Sequence, residues 1–347
     1  MTATPVPALR QAIRQLAMGG SLSEPQAREA FSIVMRGEAT PAQIAALLVG
    51  LRVKGETADE VAGAADALRG AMVRLPAERP DLLVDTCGTG GGSVGTFNIS
   101  TAAALLAAGL GVRIAKHGNR SFTSQCGSAD VLEALGVPIE VSLDVMERAL
   151  REAGIVFMFA PLMHPAMRHV GPVRGELAIP TVMNIVGPLA NPASAGRQVV
   201  GVADAARVPL IAGALRALGA VHALVVHGAP GMDEVSPLGT TDVVEIRDGA
   251  TRHWQINPAS LGFGAGVAEE LVGGPPSQNA AAVLAVLQNE APPTAVAAVV
   301  LNAAAALYVS GSGPSDYGDA VNLAREGLRA GVGVDALERL RTAYTSR

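Results

Sequence analysis

The chain is 347 residues long, with 26 Lys and Arg against 31 Asp and Glu, and is 49% hydrophobic but only 16% charged. That length fits one large domain or two unequal ones, and the composition excludes disorder and nucleic-acid binding through bulk positive charge. Aromatic residues are 3%, too few for a platform that stacks single-stranded nucleic acid.

From the N-terminus the signals are helical. Leu9, Ile13 and Leu16 fall at helical spacing and stop at Gly19-Gly20. Thr40-Pro41-Ala42-Gln43 offers an N-cap, a proline in the first turn and a capping-box Gln, followed by the stripe Ile44, Leu47, Leu48, Leu51. Thr57 and Glu60 repeat the capping box ahead of Val61, Ala64, Ala65 and Leu68. Arg10 and Arg14 interrupt any apolar run of signal-peptide type, so a cytoplasmic protein is expected. The segment 75–80, LPAERP, reads as a boundary.

Beyond Asp81 short apolar runs alternate with glycine-rich loops and helical stretches: 82–85, 112–116, 155–159, 198–202 and 222–228. This alternation predicts βαβ units around a mainly parallel sheet. A proline-dense segment, 161–192, interrupts it and is expected to return to the helical domain, lining a cleft. The expected architecture is α/β: a small all-helical N-terminal domain over 1–76, with a returning segment of about 161–190, and a large domain over 81–160 and 191–347 whose mainly parallel central sheet is flanked by helices. The charge-free stretch 291–315 is alanine-rich and broken by Pro292, Pro293, Thr294, Asn302 and Ser310, which predicts a buried helix and not a membrane span.

Three loops carry the chemistry. In 85-DTCGTGGGSVGTFNIST-101 a strand runs into five glycines within eight residues and then a helix near Asn98. Glycines let backbone N–H groups converge on an anion, and a helix N-terminus points its own free N–H groups at the same place. The pattern is a phosphate cradle of neither the Walker nor the dinucleotide type. The second loop, 116-KHGNRSFTSQCGSAD-130, groups Lys116, His117 and Arg120 with Asn119, Ser121, Thr123 and Ser124, and leads into a helix expected to be capped by Ser128 and closed by Gly136. In the third, Asp233 and Glu234 follow the strand that ends near His227. Adjacent carboxylates suit Mg²⁺ bridged to phosphates, although such a pair is also ordinary surface charge. All three follow strands and are expected at one carboxyl edge of the sheet. Of Arg168 and Arg174 in the proline-dense segment, one either faces a substrate carboxylate or is a surface arginine paired with Glu176. The two cysteines, Cys87 and Cys126, exclude a disulfide framework but leave a single bridge open.

On the helical start and the motifs GTGG…TFNIST, KHGNR…GSAD, FAPLMHPAMRHVGPVR, NIVGPLANPA and GMDEVSP in that order, the chain resembles the anthranilate phosphoribosyltransferases almost end to end. The resemblance implies a homodimer that transfers the phosphoribosyl group of phosphoribosyl pyrophosphate (PRPP) to anthranilate in tryptophan biosynthesis. Carried over by position, it implies PRPP binding by Gly88, Gly91, Gly92, Thr96, Asn98, Ile99, Ser100 and Thr101, completed by Lys116, His117, Gly118, Asn119, Arg120, Ser121, Phe122, Thr123, Ser124 and Ser128. Gly88, Asn119 and Arg174 match anthranilate contacts, with Arg174 toward the carboxylate. Ser100, Asp233 and Glu234 match positions associated with Mg²⁺, two ions per active site. One departure stands out: the family's loop reads GTGGD, and Gly92 replaces the aspartate.

Overall fold

The computed structural model describes residues 7–121 and 125–345. Phe122, Thr123 and Ser124 lie outside the described residues. The chain forms two compact units. One comprises the segment up to Arg74 with Pro161–Pro192 and Pro209–Gly219; the other comprises Leu75–Ala160, Ala193–Val208 and Ala220–Arg347. Residues 209–219, expected from the sequence in the α/β part, therefore cluster with the helices.

The helical unit begins with four helices, Pro7–Ala17, Glu24–Met35, Pro41–Lys54 and Ala58–Ala71. Ser23, Thr40 and Thr57 each cap a helix in a full capping box, with Gln26, Gln43 and Glu60 reaching back. The apolar stripes read from the sequence are buried, Leu47 and Leu51 completely, except that Ile13 is half-buried and Ala12 takes its place in the core. Glu60 is fully buried as well, and its carboxylate is satisfied by the Leu22 and Thr57 N–H groups, each at 2.8 Å, and by Lys54 Nζ at 2.9 Å. A buried charge is tolerated when paired and hydrogen-bonded in this way. The returning segment adds the short helices Pro165–His169, Gly171–Leu177 and Met183–Val186. It is tied on by Val73 N–H to Met163 O at 2.8 Å and Arg69 Nε to Leu189 O at 2.7 Å.

The α/β unit is built on seven strands: β1 Val84–Gly88, β2 Ile114–Gly118, β3 Ile155–Phe159, β4 Arg197–Gly201, β5 His222–Gly228, β6 Thr241–Arg247 and β7 Ala250–Ile256. Their order is β3-β2-β1-β4-β5-β6-β7. The first five are parallel, while β6 and β7 run antiparallel. The helix Pro293–Val309 packs on β1, β4 and β5, and Ile99–Gly109 packs on β1 and β2. The β6–β7 hairpin goes beyond the strands expected from the sequence. Its two-residue turn is Asp248-Gly249, both with positive φ (50° and 80°), as a hairpin turn of the I′ type requires.

Two strands start later than their apolar runs. Pro80 has no N–H to give a ladder, and Pro80–Leu82 is a 3₁₀ turn closed by Leu83 N–H to Pro80 O, so β1 starts at Val84. Val112 N–H donates back to Ala107 O across Gly111 (φ 90°), which ends the preceding helix and delays β2 to Ile114. Ser128 is not the N-cap of its helix. That position is Gly127, whose N–H is accepted by Asp130 at 2.8 Å, while Gly136 (φ 79°) closes the helix as expected.

Away from the three loops, Glu245 on β6 gathers a buried cluster. It accepts from Trp254 Nε1 and Tyr308 OH, each at 2.9 Å, and lies 2.8 Å from His222 Nε2. Trp254, Tyr308 and Tyr317 meet edge to face.

Candidate active site

Strand order reverses around β1: β2 and β3 lie to one side, β4 and β5 to the other. Ligands in open α/β sheets bind outside the carboxyl ends of the strands at such a switch point. Four parallel strands end here in glycine, namely Gly88, Gly118, Gly201 and Gly228. For three of them the reason lies in what crosses the strand end. A Cβ at Gly88 or Gly201 would overlap Asp233, and one at Gly228 would lie 2.5 Å from Glu234 O. Side chains at these positions would hold the acidic loop off the sheet.

The glycine loop is pinned to that acidic loop. Gly90 N–H donates to Asp233 Oδ2 at 2.8 Å, Ser93 N–H to Gly231 O at 2.9 Å, and Thr89 N–H to Gly201 O at 2.9 Å. The N–H groups of Gly91 and Gly92 have no acceptor among the described residues. Gly90 and Gly91 have φ of 74° and 79°, the left-handed backbone that glycine adopts without strain. Asn98 is the N-cap residue of the helix Ile99–Gly109. Ile99 and Thr101 turn into the core, each 1% exposed, which leaves Asn98 and Ser100 as the side chains toward the loop.

The Lys116 loop reaches the same edge, but its cations do not face outward as a group. Lys116 is 3% exposed; its ammonium donates to Thr86 O at 2.6 Å and to Ser100 Oγ at 3.2 Å. It is an internal cation because β2 runs through Lys116 to Gly118 before the loop opens. Arg120 pairs with Asp130 at 2.9 Å and with Glu133, and lies over the Phe159 ring. His117 N–H donates to Asp85 Oδ1 at 3.2 Å. Asn119 O accepts from Ser128 Oγ at 3.4 Å, and Ser121 N–H donates to Asp130 at 3.2 Å, so the described ends of the loop close on the start of the next helix.

Charge is concentrated where the three loops meet. Burial, then the adjacent Asp233, push the Glu234 carboxyl up to about 8, opposed by Lys116 and the Ser100 backbone N–H. Burial also raises Asp233, against the Gly90 hydrogen bond, and lowers Lys116, against Asp85, Cys87 and Glu234. The Asp233-Glu234 pair thus resists carrying two negative charges by itself, as adjacent buried carboxylates do where a cation would supply the missing positive charge. With the Ser100 hydroxyl they form a set of hard oxygen donors that fits a divalent cation sharing its remaining ligands with phosphate. No cluster of three or more His, Cys, Asp or Glu suited to a metal exists among the described residues.

A fourth segment carries no local signal in the sequence. Thr96 bridges to Val272, Phe97 N–H donates to Leu271 O at 2.9 Å, and Gly273 N–H to Gly95 O at 3.0 Å. Asn279, 2% exposed, donates to Asn98 Oδ1 at 2.9 Å while accepting Gly274 N–H at 2.7 Å. It orients the N-cap residue from 181 positions away, a distance that no local pattern spans. Cys87 and Cys126 form no disulfide.

Arg174 belongs to the helical unit, in the helix Gly171–Leu177. It makes no ion pair with Glu176 or any other described acid. Burial lowers its pKa.

The chain matches the glycosyl transferase family twice: its helical bundle domain over residues 10–72 and its a/b domain over residues 80–334. The anthranilate phosphoribosyltransferase of Rubrobacter xylanophilus is 50% identical over 331 residues, 95% of this chain and 96% of that protein. Among solved structures, anthranilate phosphoribosyltransferase from Thermus thermophilus superposes with a TM-score of 0.90 at 42% identity, covering 96% of this chain and 99% of that one. The Saccharomyces cerevisiae enzyme in complex with PRPP and Mg superposes with a TM-score of 0.87 at 25% identity, covering 99% of each chain. With a helical domain, a mainly parallel α/β domain and identity of this extent along nearly its whole length, the chain belongs to the anthranilate phosphoribosyltransferase family.

Proposed function

We propose that the protein transfers the phosphoribosyl group of PRPP to the amine of anthranilate, releasing pyrophosphate, as a step of tryptophan biosynthesis. The observation that carries this reading is the meeting of the glycine loop, the Lys116–Ser100 pair and the Asp233-Glu234 loop at one switch point of the sheet. The open N–H groups of Gly91 and Gly92, with Asn98 and Ser100, are assigned to the pyrophosphate of PRPP. Thr96, His117, Gly118, Asn119, Ser121 and Ser128 are assigned to the rest of PRPP.

Lys116 serves as a fixed internal cation that orients Ser100 and balances Asp85 and Glu234. Asp233, Glu234 and Ser100 are the residues that would hold Mg²⁺, two ions per active site. Bound Mg²⁺ supplies positive charge to the departing pyrophosphate. Aimed N–H donors add to this, each worth a few kcal/mol where negative charge develops. The aniline nitrogen of anthranilate is neutral at pH 7, so the reaction asks for alignment more than for a general base. Alignment alone is worth roughly 7–11 kcal/mol over free encounter. Gly88, Asn119 and Arg174 are assigned to anthranilate, with the arginine pairing to its carboxylate. The protein is taken to act as a cytoplasmic homodimer.

The test is PRPP-dependent loss of anthranilate fluorescence, with and without Mg²⁺, in the intact protein and in a variant with Asp233→Ala and Glu234→Ala. Activity that requires Mg²⁺ and is lost in the variant is expected. An unaltered Mg²⁺ titration would remove the acidic pair from the metal site. A protein that instead needs free phosphate and releases a base would belong with the nucleoside phosphorylases.

A further inference from the structure

The helix Pro293–Val309 is apolar almost throughout, and its middle is buried on all sides. Asn302 breaks that pattern at 3% exposure. A carboxamide in such surroundings is costly unless its polar atoms are hydrogen-bonded. All of them are. Oδ1 accepts Val235 N–H at 2.9 Å, while Nδ2 donates to Val235 O at 2.9 Å and to Ala298 O at 2.9 Å. The first two bonds engage both backbone groups of a single residue, as a neighbouring strand would. That residue directly follows Glu234.

The same stretch of backbone is confined on its other side. A Cβ at Gly201 would overlap Asp233 O, and Gly228 leaves no room for a Cβ beneath Glu234 O. Ser236 N–H donates to Thr241 Oγ1 at 2.9 Å. The acidic dipeptide is therefore held between two strand-end glycines and one buried side chain. The glycine loop bonds the Asp233 side of this segment, through Gly90 N–H, and Asn302 bonds the backbone just after Glu234 from a helix outside the loop and its strands.

We propose that Asn302 is a positioning residue for the metal-binding pair: by clamping Val235 it fixes the direction in which Asp233 and Glu234 present their carboxylates to Gly90 and Ser100. It acts through the backbone of Val235. The inference rests on the reading that this pair holds Mg²⁺ together with PRPP.

The test uses the full chain and calorimetric titration of Mg²⁺ at saturating PRPP without anthranilate, alongside steady-state kinetics. Asn302→Leu removes all three bonds. Asn302→Asp keeps the volume and the acceptor for Val235 N–H but replaces the donor that faces Val235 O and Ala298 O. In both, the Mg²⁺ dissociation constant should rise roughly tenfold, the scale seen when groups orienting metal ligands are lost. The KM for PRPP at limiting Mg²⁺ should rise with it, and the KM for anthranilate should stay at the wild-type value. A folded variant with a lower melting temperature but a wild-type Mg²⁺ constant would overturn the assignment and leave Asn302 a packing residue; if the leucine variant does not fold, the aspartate variant is held to the same criterion. A wild-type protein whose PRPP binding ignores Mg²⁺ would instead overturn the metal reading, and the proposal with it.

Discussion

Replacing Gly92 with aspartate restores the residue usual in the family and separates crowding from charge at the switch point. Gly92 has no positive φ, so a side chain there is not strained by the backbone. Its Cβ would lie 3.1 Å from Asp233 Oδ1 and 3.3 Å from Gly231 O, close enough that the neighbours must yield slightly. Aspartate and asparagine share that crowding, but only aspartate adds a third carboxylate. Two unit charges about 6 Å apart repel by roughly 1–3 kcal/mol for an effective dielectric between that of water and about 20. That corresponds to roughly 5- to 150-fold in an equilibrium constant. With Mg²⁺ limiting, Gly92→Asp should raise the KM for PRPP by a factor in that range relative to Gly92→Asn. The gap should close as Mg²⁺ is raised, and the KM for anthranilate should not move. The assay is initial rate by anthranilate fluorescence over a grid of PRPP and Mg²⁺ concentrations. Identical PRPP constants for the two variants at every Mg²⁺ level, or a change confined to anthranilate, would refute the electrostatic reasoning.

Arg174→Ala should raise the KM for anthranilate at least tenfold, the usual scale for a charge-assisted bond of about 1.5–3 kcal/mol, and leave that for PRPP nearly unchanged; equal effects on both would count against the assignment. Glu234 is raised from 4.5 to about 8 in the folded protein, so without Mg²⁺ its contribution to stability is full below pH 4.5 and is lost as pH rises through about 8. The metal-free wild type should therefore melt progressively lower than Glu234→Gln between about pH 5 and pH 8. Parallel melting curves for the two proteins across that range would show that Glu234 is not held protonated.

The parts of this protein visible in its sequence are those fixed by neighbours in the chain. Capping boxes at Thr40 and Thr57 act over three residues and appear as read. The alternation of strands and glycine loops places three loops at one edge because parallel strands must all end on the same side. The β6–β7 hairpin carries its own signal in Asp248-Gly249 between alternating residues, a signal easily overshadowed by the acidic loop before it. Lys116 is read as the last residue of its strand, grouped with the cations of the loop that follows; the ladder continues to Gly118, and Lys116 lies inside it with its ammonium on Thr86 and Ser100. Asn279 and Asn302 are beyond local reading altogether. Their partners lie 181 and 67 residues away, and only the folded sheet brings them together.

The aromatic cluster around Glu245 has a practical consequence for studying the two units. Trp254 is the chain's single tryptophan, and Tyr308, Tyr317 and Tyr344 are its three tyrosines. All four lie in the α/β unit. Indole emission and the tyrosine and tryptophan bands of near-ultraviolet dichroism consequently watch that unit alone, and the helical one, which holds Phe31, unfolds in the dark to both. A melt followed by fluorescence will yield one transition even where calorimetry yields two, and subtracting the first from the second isolates the silent helices without any label.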